Sequence, residues 1–353
     1  MCSNALKHIV AFIWILLVAA TPLAYAQFGF AASASYMMTN NQSYAAYNSA
    51  MAGIEASWHS GSLQQRFADD FELGLTASIG VIAKPIAGHR IGLVGDVRAP
   101  IGQHWRYVIG LGLSAYTNPY SASHNEENIF IGSTLNCLID LRLQYRINNL
   151  CHLSVGLLHT SNGSLLRPNQ GLNFLQMDIG FDFDTERNSD NASPDTPTTS
   201  PTLNTLPLRN NEVGFTLSAG LVQGQYGAIV DYYFCYDLSL NYMHYLSPKW
   251  AVGGSADVWF NFADRTVFAY EKLRYDFPAY LSVMIAGERH WGPLSLKAGI
   301  GPHIIASPAS KIPFYERVGT YYNWRTHYVG VALNAHAGKI EFIEWSYGHR
   351  FSI

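Results

Sequence analysis

The chain has 353 residues, with 22 Lys and Arg against 25 Asp and Glu, giving a formal charge of −3. Charged residues make up 13% and aromatics 14%, against roughly 25% charged in ordinary soluble domains. This balance excludes a basic nucleic-acid surface, and with a mean hydropathy of +0.02 it suits alternating lipid-facing and lumen-facing residues.

At the start of the chain, Lys7 and His8 precede an apolar run from Ile9 to Ala20. Pro22 breaks the run and Ala24-Tyr25-Ala26 supplies a small-x-small cleavage pattern. Residues 1–26 therefore read as a secretory signal peptide, with residues 27–353 as the exported protein. No later stretch reaches the ~20 apolar residues of a spanning helix. An exported soluble sandwich or a membrane β-barrel remains.

Period-two alternation then recurs along the chain. Trp105, Tyr107, Ile109, Leu111 and Leu113 share one face of a strand, and Arg106, Val108, Gly110, Gly112 and Ser114 the other. In the next strand, Leu135, Cys137, Ile139, Leu141, Leu143 and Tyr145 oppose Asn136, Asp140, Arg142, Gln144 and Arg146, with Leu138 as an exception. Further on, Trp250, Val252, Ala256, Val258, Phe260 and Phe262 oppose Ser255, Asp257 and Asn261. The terminal segment alternates Ile343, Trp345, Tyr347 and Phe351, as a closing barrel strand does. Several segments reach the length that a tilted membrane strand requires, and aromatics fall near strand ends as in interfacial girdles. The fold class expected is all-β: a transmembrane antiparallel up-and-down barrel of about 12–14 strands, even in number.

Thr185 to Asn211 is rich in Ser, Thr, Asn and Pro and cannot bury enough apolar surface to order itself. It is expected to be a flexible polar loop within one barrel. A linker between two domains has less support, because neither half shows an obvious core of its own.

The stretch from Leu153 to Phe183 carries the chemistry. Leu153, Val155 and Leu157 lie on one face, with Leu158 as an exception, and the same parity brings His159 and Ser161 onto that face. On the returning strand, Leu175, Met177, Ile179, Phe181 and Phe183 are the apolar face, and Asn173 shares their parity. Three polar groups at the end of a lipid-facing stripe are poised to meet headgroups or ester linkages. A serine hydroxyl becomes a nucleophile when an imidazole accepts its proton. The imidazole needs a partner on its other nitrogen, and asparagine amides or backbone N–H groups can stabilise an oxyanion.

His159-Thr160-Ser161-Asn162, followed by Arg167-Pro168-Asn169-Gln170-Gly171-Leu172-Asn173, resembles the His-x-Ser-Asn…Pro-Asn-x-Gly signature of the acyloxyacyl hydrolase, or lipid A 3-O-deacylase, family. Asn128-Ile129-Phe130-Ile131-Gly132-Ser133, Ala335-His336 and Phe342-Ile343-Glu344-Trp345 extend the likeness to longer members. The resemblance implies an outer-membrane barrel that hydrolyses an ester-linked acyl chain of lipid A in lipopolysaccharide. It gives Ser161 the nucleophile's role, His159 the general base's, and Asn169 an oxyanion-stabilising position that Asn162 helps to shape. The chain departs from the shorter members at Asn173, where they carry a glutamate. Asn173 is then expected to orient His159 with less stabilisation of the imidazolium.

No cofactor or metal is expected, since serine esterolysis needs only nucleophile, base and oxyanion donors. No GxSxG, P-loop, dinucleotide or HExxH pattern is present. Cys137, Cys151 and Cys235 are odd in number beyond the signal, which speaks against a disulfide framework. Asp140 and Arg142 are expected in a lumenal ion-pair network. Lumenal or structural roles are the ordinary reading of His336 and Glu344, and simple solvation that of the acid pairs Asp69-Asp70 and Glu126-Glu127. Two other functions stand beside the lipid A esterase: a non-catalytic porin or structural barrel, and an esterase acting on another envelope lipid such as a phospholipid.

Overall fold

The structure, a computed structural model, describes residues 27–38, 46–60, 71–84, 86–163, 165–184, 211–226, 229–272, 277–310, 312–336 and 339–353. The expected signal segment, Asp69-Asp70 and almost all of the 185–211 loop lie outside the described residues.

The all-β barrel class holds, but the closure differs from expectation. In place of one barrel of 12–14 strands, the sheet closes twice, each time with eight antiparallel strands. The chain accordingly forms two compact units, the arrangement that sequence patterning had favoured less. The first barrel runs β1 (Gln27–Met38), β2 (Ser49–His59), β3 (Glu72–Ile82), β4 (Arg90–Pro100), β5 (Trp105–Tyr116), β6 (Leu135–Arg146), β7 (Cys151–Ser161) and β8 (Leu172–Asp184). β8 pairs back onto β1, with Gln27 opposite Asp184 and Met38 opposite Asn173. The second runs β9 (Asn211–Tyr226), β10 (Ile229–Ser247), β11 (Trp250–Asn261), β12 (Ala279–Trp291), β13 (Leu294–Ile305), β14 (Phe314–Trp324), β15 (His327–His336) and β16 (Lys339–Ser352). β16 closes onto β9, and a short helix α1 (Asp264–Glu271) lies between β11 and β12.

Burial separates a barrel from a sandwich. Leu141, Leu143, Leu153, Val155, Leu157, Leu175, Met177 and Ile179 are exposed, while Ser154, Asp140, Gln176 and Asp178 on the alternate parity are buried. The polar face is the inside and the apolar face the outside, as lipid requires. In the second barrel, Trp250, Trp324, Tyr347 and Phe351 are exposed at the end that holds Asn211 and Ser352, the position of an interfacial girdle.

Eight strands leave an interior just wide enough for side chains to fill, and buried charges there must be paired. In the first barrel, Arg142 Nη1 meets Glu55 at 2.6 Å and Asp178 at 3.3 Å, and its guanidinium also clasps Asp140. Arg98 and Arg106 hold Asp182 at 3.3 and 3.0 Å, and His59 holds Asp96 at 3.1 Å. In the second barrel, Arg317 joins Asp237, Asp257 and Glu344 at 2.8, 3.3 and 3.3 Å. A void of about 20 Å³ remains among Asn241, Glu288, Lys297, Arg317 and Arg350, the room of about one water.

The two exceptions to alternation have one cause. Leu138 and Leu158 point inward and join Met37, Met51, Tyr116, Phe130, Leu172 and Phe174 in a buried cluster. Register puts Leu138 opposite Thr160, and Leu158 opposite Phe174. The first barrel is thus plugged by apolar side chains at the end away from Gln27 and Asp184.

Candidate active site

His159, Ser161 and Asn173 lie at that plugged end. His159 and Asn173 are direct cross-strand partners on β7 and β8, and Asn173 Oδ1 lies 2.7 Å from His159 Nδ1. A carboxamide oxygen only accepts, so Nδ1 carries the imidazole proton and Nε2 keeps its lone pair. Nε2 is buried and makes no hydrogen bond. Ser161, two residues along the same strand face, ends β7 and is 3% exposed.

A tertiary contact and a glycine turn hold the chain beyond β7. Asn162 donates its amide N–H to Ser133 Oγ at 3.0 Å, fixing the backbone as it leaves Ser161. Asn169 is buried, in a segment that groups with the second compact unit. Gly171 returns the chain to β8 with φ +72°. A Cβ there would stand 3.0 Å from His159 Cε1 and 3.1 Å from Thr160 O, so only glycine allows both this turn and this approach to the imidazole.

The β5–β6 loop props this return. Gly171 N–H donates to Phe130 O at 2.9 Å and Gln170 N–H to Ile129 O at 3.3 Å. Asn128, fully buried, accepts from Phe130 and Ile131 N–H at 3.2 and 3.3 Å and donates to Asn118 O at 2.8 Å. Phe130 and Ile131 insert into the apolar plug. In the sequence, the Asn128–Ser133 stretch stands out only through the family likeness. Its support of Gly171, and the hold of Ser133 on Asn162, depend on contacts between distant segments.

Toward the lipid, Leu157 stands one outward position below His159. Leu141 and Leu175 are its partners on the two neighbouring strands, and Leu157 is 52% exposed. The imidazole and the apolar wall therefore share one strand face, and Ser161 follows at the same parity, buried, with no hydrogen bond to His159 Nε2. Of the other sequence candidates, Glu344 is buried in the second barrel's ion-pair network, and His336 contacts Glu341 there. Neither Glu126 nor Glu127 is buried. Among the described residues, no group of three His, Cys, Asp or Glu side chains could hold a metal ion.

An eight-stranded barrel with an apolar exterior and a filled lumen belongs to the class of outer-membrane β-barrels. Residues 26–182 match the family described as lipid A 3-O-deacylase (PagL), and residues 211–353 match acyloxyacyl hydrolase, C-terminal domain. The chain belongs to the lipid A 3-O-deacylase and acyloxyacyl hydrolase family of outer-membrane enzymes, with one of these domains in each half.

Among solved structures, the chain is similar to the outer membrane enzyme PagL, at 18% identity and a TM-score of 0.33, over 42% of this chain and 97% of that one. The N-terminal β-barrel domain of Pseudomonas aeruginosa OprF matches at 17% identity and a TM-score of 0.28, over 44% and 97%. Neisserial surface protein A matches at 10% identity and a TM-score of 0.28, over 45% and 96%. No curated protein sequence matches this chain.

Proposed function

We propose that the first barrel is a serine esterase that removes an ester-linked acyl chain from lipid A at its outward face. Ser161 is the nucleophile. His159 takes the Ser161 proton on Nε2 and returns it to the leaving alcohol, and water then hydrolyses the acyl-enzyme. Asn173 holds the imidazole in the tautomer this requires. Asn169 takes the oxyanion role that the motif gives it, and Asn162 fixes the chain beside the nucleophile. The acyl chain lies against Leu141, Leu157 and Leu175, which offer it an apolar wall beside the reacting atoms. Residues 1–26 are a secretory signal, so the protein is exported to the outer membrane.

The observation that carries this reading is the 2.7 Å contact between His159 Nδ1 and Asn173 Oδ1, which leaves Nε2 a buried lone pair. The filled interiors support an enzyme over a conducting pore, because eight strands leave no aqueous channel. Free fatty acid release from lipid A by the refolded protein tests the assignment. Release by the wild type, and none by Ser161→Ala or His159→Ala, is expected. Equal release by Ser161→Ala would refute it.

A further inference from the structure

Four side chains on four strands of the second barrel make one continuous chain of contacts, at the end away from Asn211 and Ser352. Ser282 Oγ lies 2.7 Å from His303 Nδ1. His303 Nε2 lies 3.0 Å from His336 Nε2. His336 Nδ1 lies 2.5 Å from Glu341 Oε2. The chain is anchored at both ends: Trp259 Nε1–H donates to Ser282 Oγ at 3.3 Å and Asn261 Nδ2–H to Glu341 Oε1 at 3.2 Å.

Hydrogen-bonding capacity fixes its direction. Glu341 Oε2 beside His336 Nδ1 is a charge contact; with the imidazole proton on the nitrogen that faces it, His336 offers a lone pair on Nε2. A neutral imidazole has one N–H, so His303 donates from Nε2 and accepts on Nδ1. Ser282 is then the donor to His303, while its oxygen accepts from Trp259. Every proton in the chain points away from Ser282 and toward Glu341, whose side chain is 29% exposed. A hydroxyl within reach of a base, with that base oriented by a further group, is the arrangement that activates a nucleophile.

The backbone is irregular where it supplies these groups. Between β12 and β13, pairing passes from Leu281–Ile305 to Ser282–His303, skipping Ile304. Between β15 and β16, it passes from Asn334–Phe342 to Ala335–Ile340, skipping Glu341 itself. Bulges of this kind re-aim side chains and occur often beside active sites.

We infer that Ser282 is a second nucleophilic serine, in the second barrel, that accepts an acyl group from a carboxylic ester. Ser282 Oγ bonds to the ester carbonyl carbon while its proton moves to His303 Nδ1. His303 returns that proton to the alcohol oxygen as the carbon–oxygen bond breaks. Water then hydrolyses the Ser282 ester by the reverse path. His336 and Glu341 are positioning residues that hold His303 in the accepting tautomer. Trp259 and Tyr280 stack at 3.9 Å, and His303 stacks on Tyr315 at 5.3 Å. Ser282 is buried, and Ala263, beside α1, packs into the cluster that holds Trp259 and Tyr280. A small reagent is therefore the suitable probe. The inference rests on the second barrel alone and stands apart from the assignment of Ser161.

The test uses the full chain, refolded in detergent, with Ser161→Ala to silence the first site. It is treated with diisopropyl fluorophosphate and mapped by peptide mass spectrometry. A diisopropylphosphoryl adduct on Ser282 is expected. Adding His303→Gln is expected to slow its formation roughly a hundredfold. Glu341→Gln is expected to slow it less and to displace the pH of half-maximal labelling, which a purely structural role would not do. Folding of each variant is checked by its heat-modifiable gel mobility. No Ser282 adduct in folded protein, or labelling indifferent to His303→Gln, would overturn the inference. Glu341→Gln labelling with an unchanged rate and pH profile would remove the positioning role.

Discussion

His159 and Asn173 face each other across β7 and β8, and the Nδ1–Oδ1 contact of 2.7 Å sets which imidazole nitrogen is open. A neutral amide orients the ring but stabilises the imidazolium less than a carboxylate would, because hydrogen bonds to charged groups are the stronger ones. Asn173→Glu is therefore expected to raise kcat for acyl ester hydrolysis about tenfold, corresponding to about 1.4 kcal/mol. Asn173→Leu, which leaves Nδ1–H without an acceptor, is expected to lower it roughly a hundredfold. Steady-state kinetics on a soluble acyl ester in detergent would check both, and an unaffected Asn173→Leu variant would contradict the orienting role.

Gly171 works by having no side chain. A Cβ would press on the His159 ring at 3.0 Å and on a backbone oxygen, and the positive φ adds strain. Gly171→Ala is expected to lower kcat by roughly tenfold to a hundredfold. The KM should be nearly unchanged, because the Leu141, Leu157 and Leu175 wall is untouched. Equal losses in affinity and turnover would argue for a general collapse of the loop.

Arg142 is the hub of the first barrel's lumen. Arg142→Met would leave Glu55, Asp140 and Asp178 buried without their cation. Removing one partner of such a network costs about 3–5 kcal/mol. Urea unfolding in detergent is expected to show that loss, and a midpoint equal to wild type would mean that the acids are satisfied by other means.

Asp264, at the start of α1, has its carboxyl pushed up to about 6, mainly by burial, and accepts a hydrogen bond from Tyr280 at 2.7 Å. Its unfolded value is about 3.9. The folded state therefore holds this proton more tightly. The resulting stability is fully present below about pH 4 and is lost as pH rises through about 6. Thermal unfolding between pH 4 and 7 should show that decline in the wild type. The decline should be absent in Asp264→Asn, and an Asp264→Asn profile parallel to wild type would contradict it.

Alternation made the outward and inward faces readable, down to the lumenal places of Asp140 and Arg142. It also put His159, Ser161 and Asn173 on one face. Leu138 and Leu158 broke the pattern because the lumen changes from polar to apolar near the site, which depends on depth in the barrel. The two closures were not legible. They depend on β8 pairing with β1 and β16 with β9, contacts between segments far apart in sequence. Short turns such as the one between Ser247 and Trp250 also merge neighbouring strands when the sequence is read for loops. Ser282, His303, His336 and Glu341 were invisible as a group because the bulges beside them upset the parity on which strand reading relies.

Mass spectrometry of lipid A from membranes expressing the wild-type chain or Ser161→Ala is the most direct measurement of the central claim. Loss of one acyl mass with the wild type and intact lipid A with Ser161→Ala is the predicted result. Intact lipid A with both, while both proteins are inserted and folded, would contradict it.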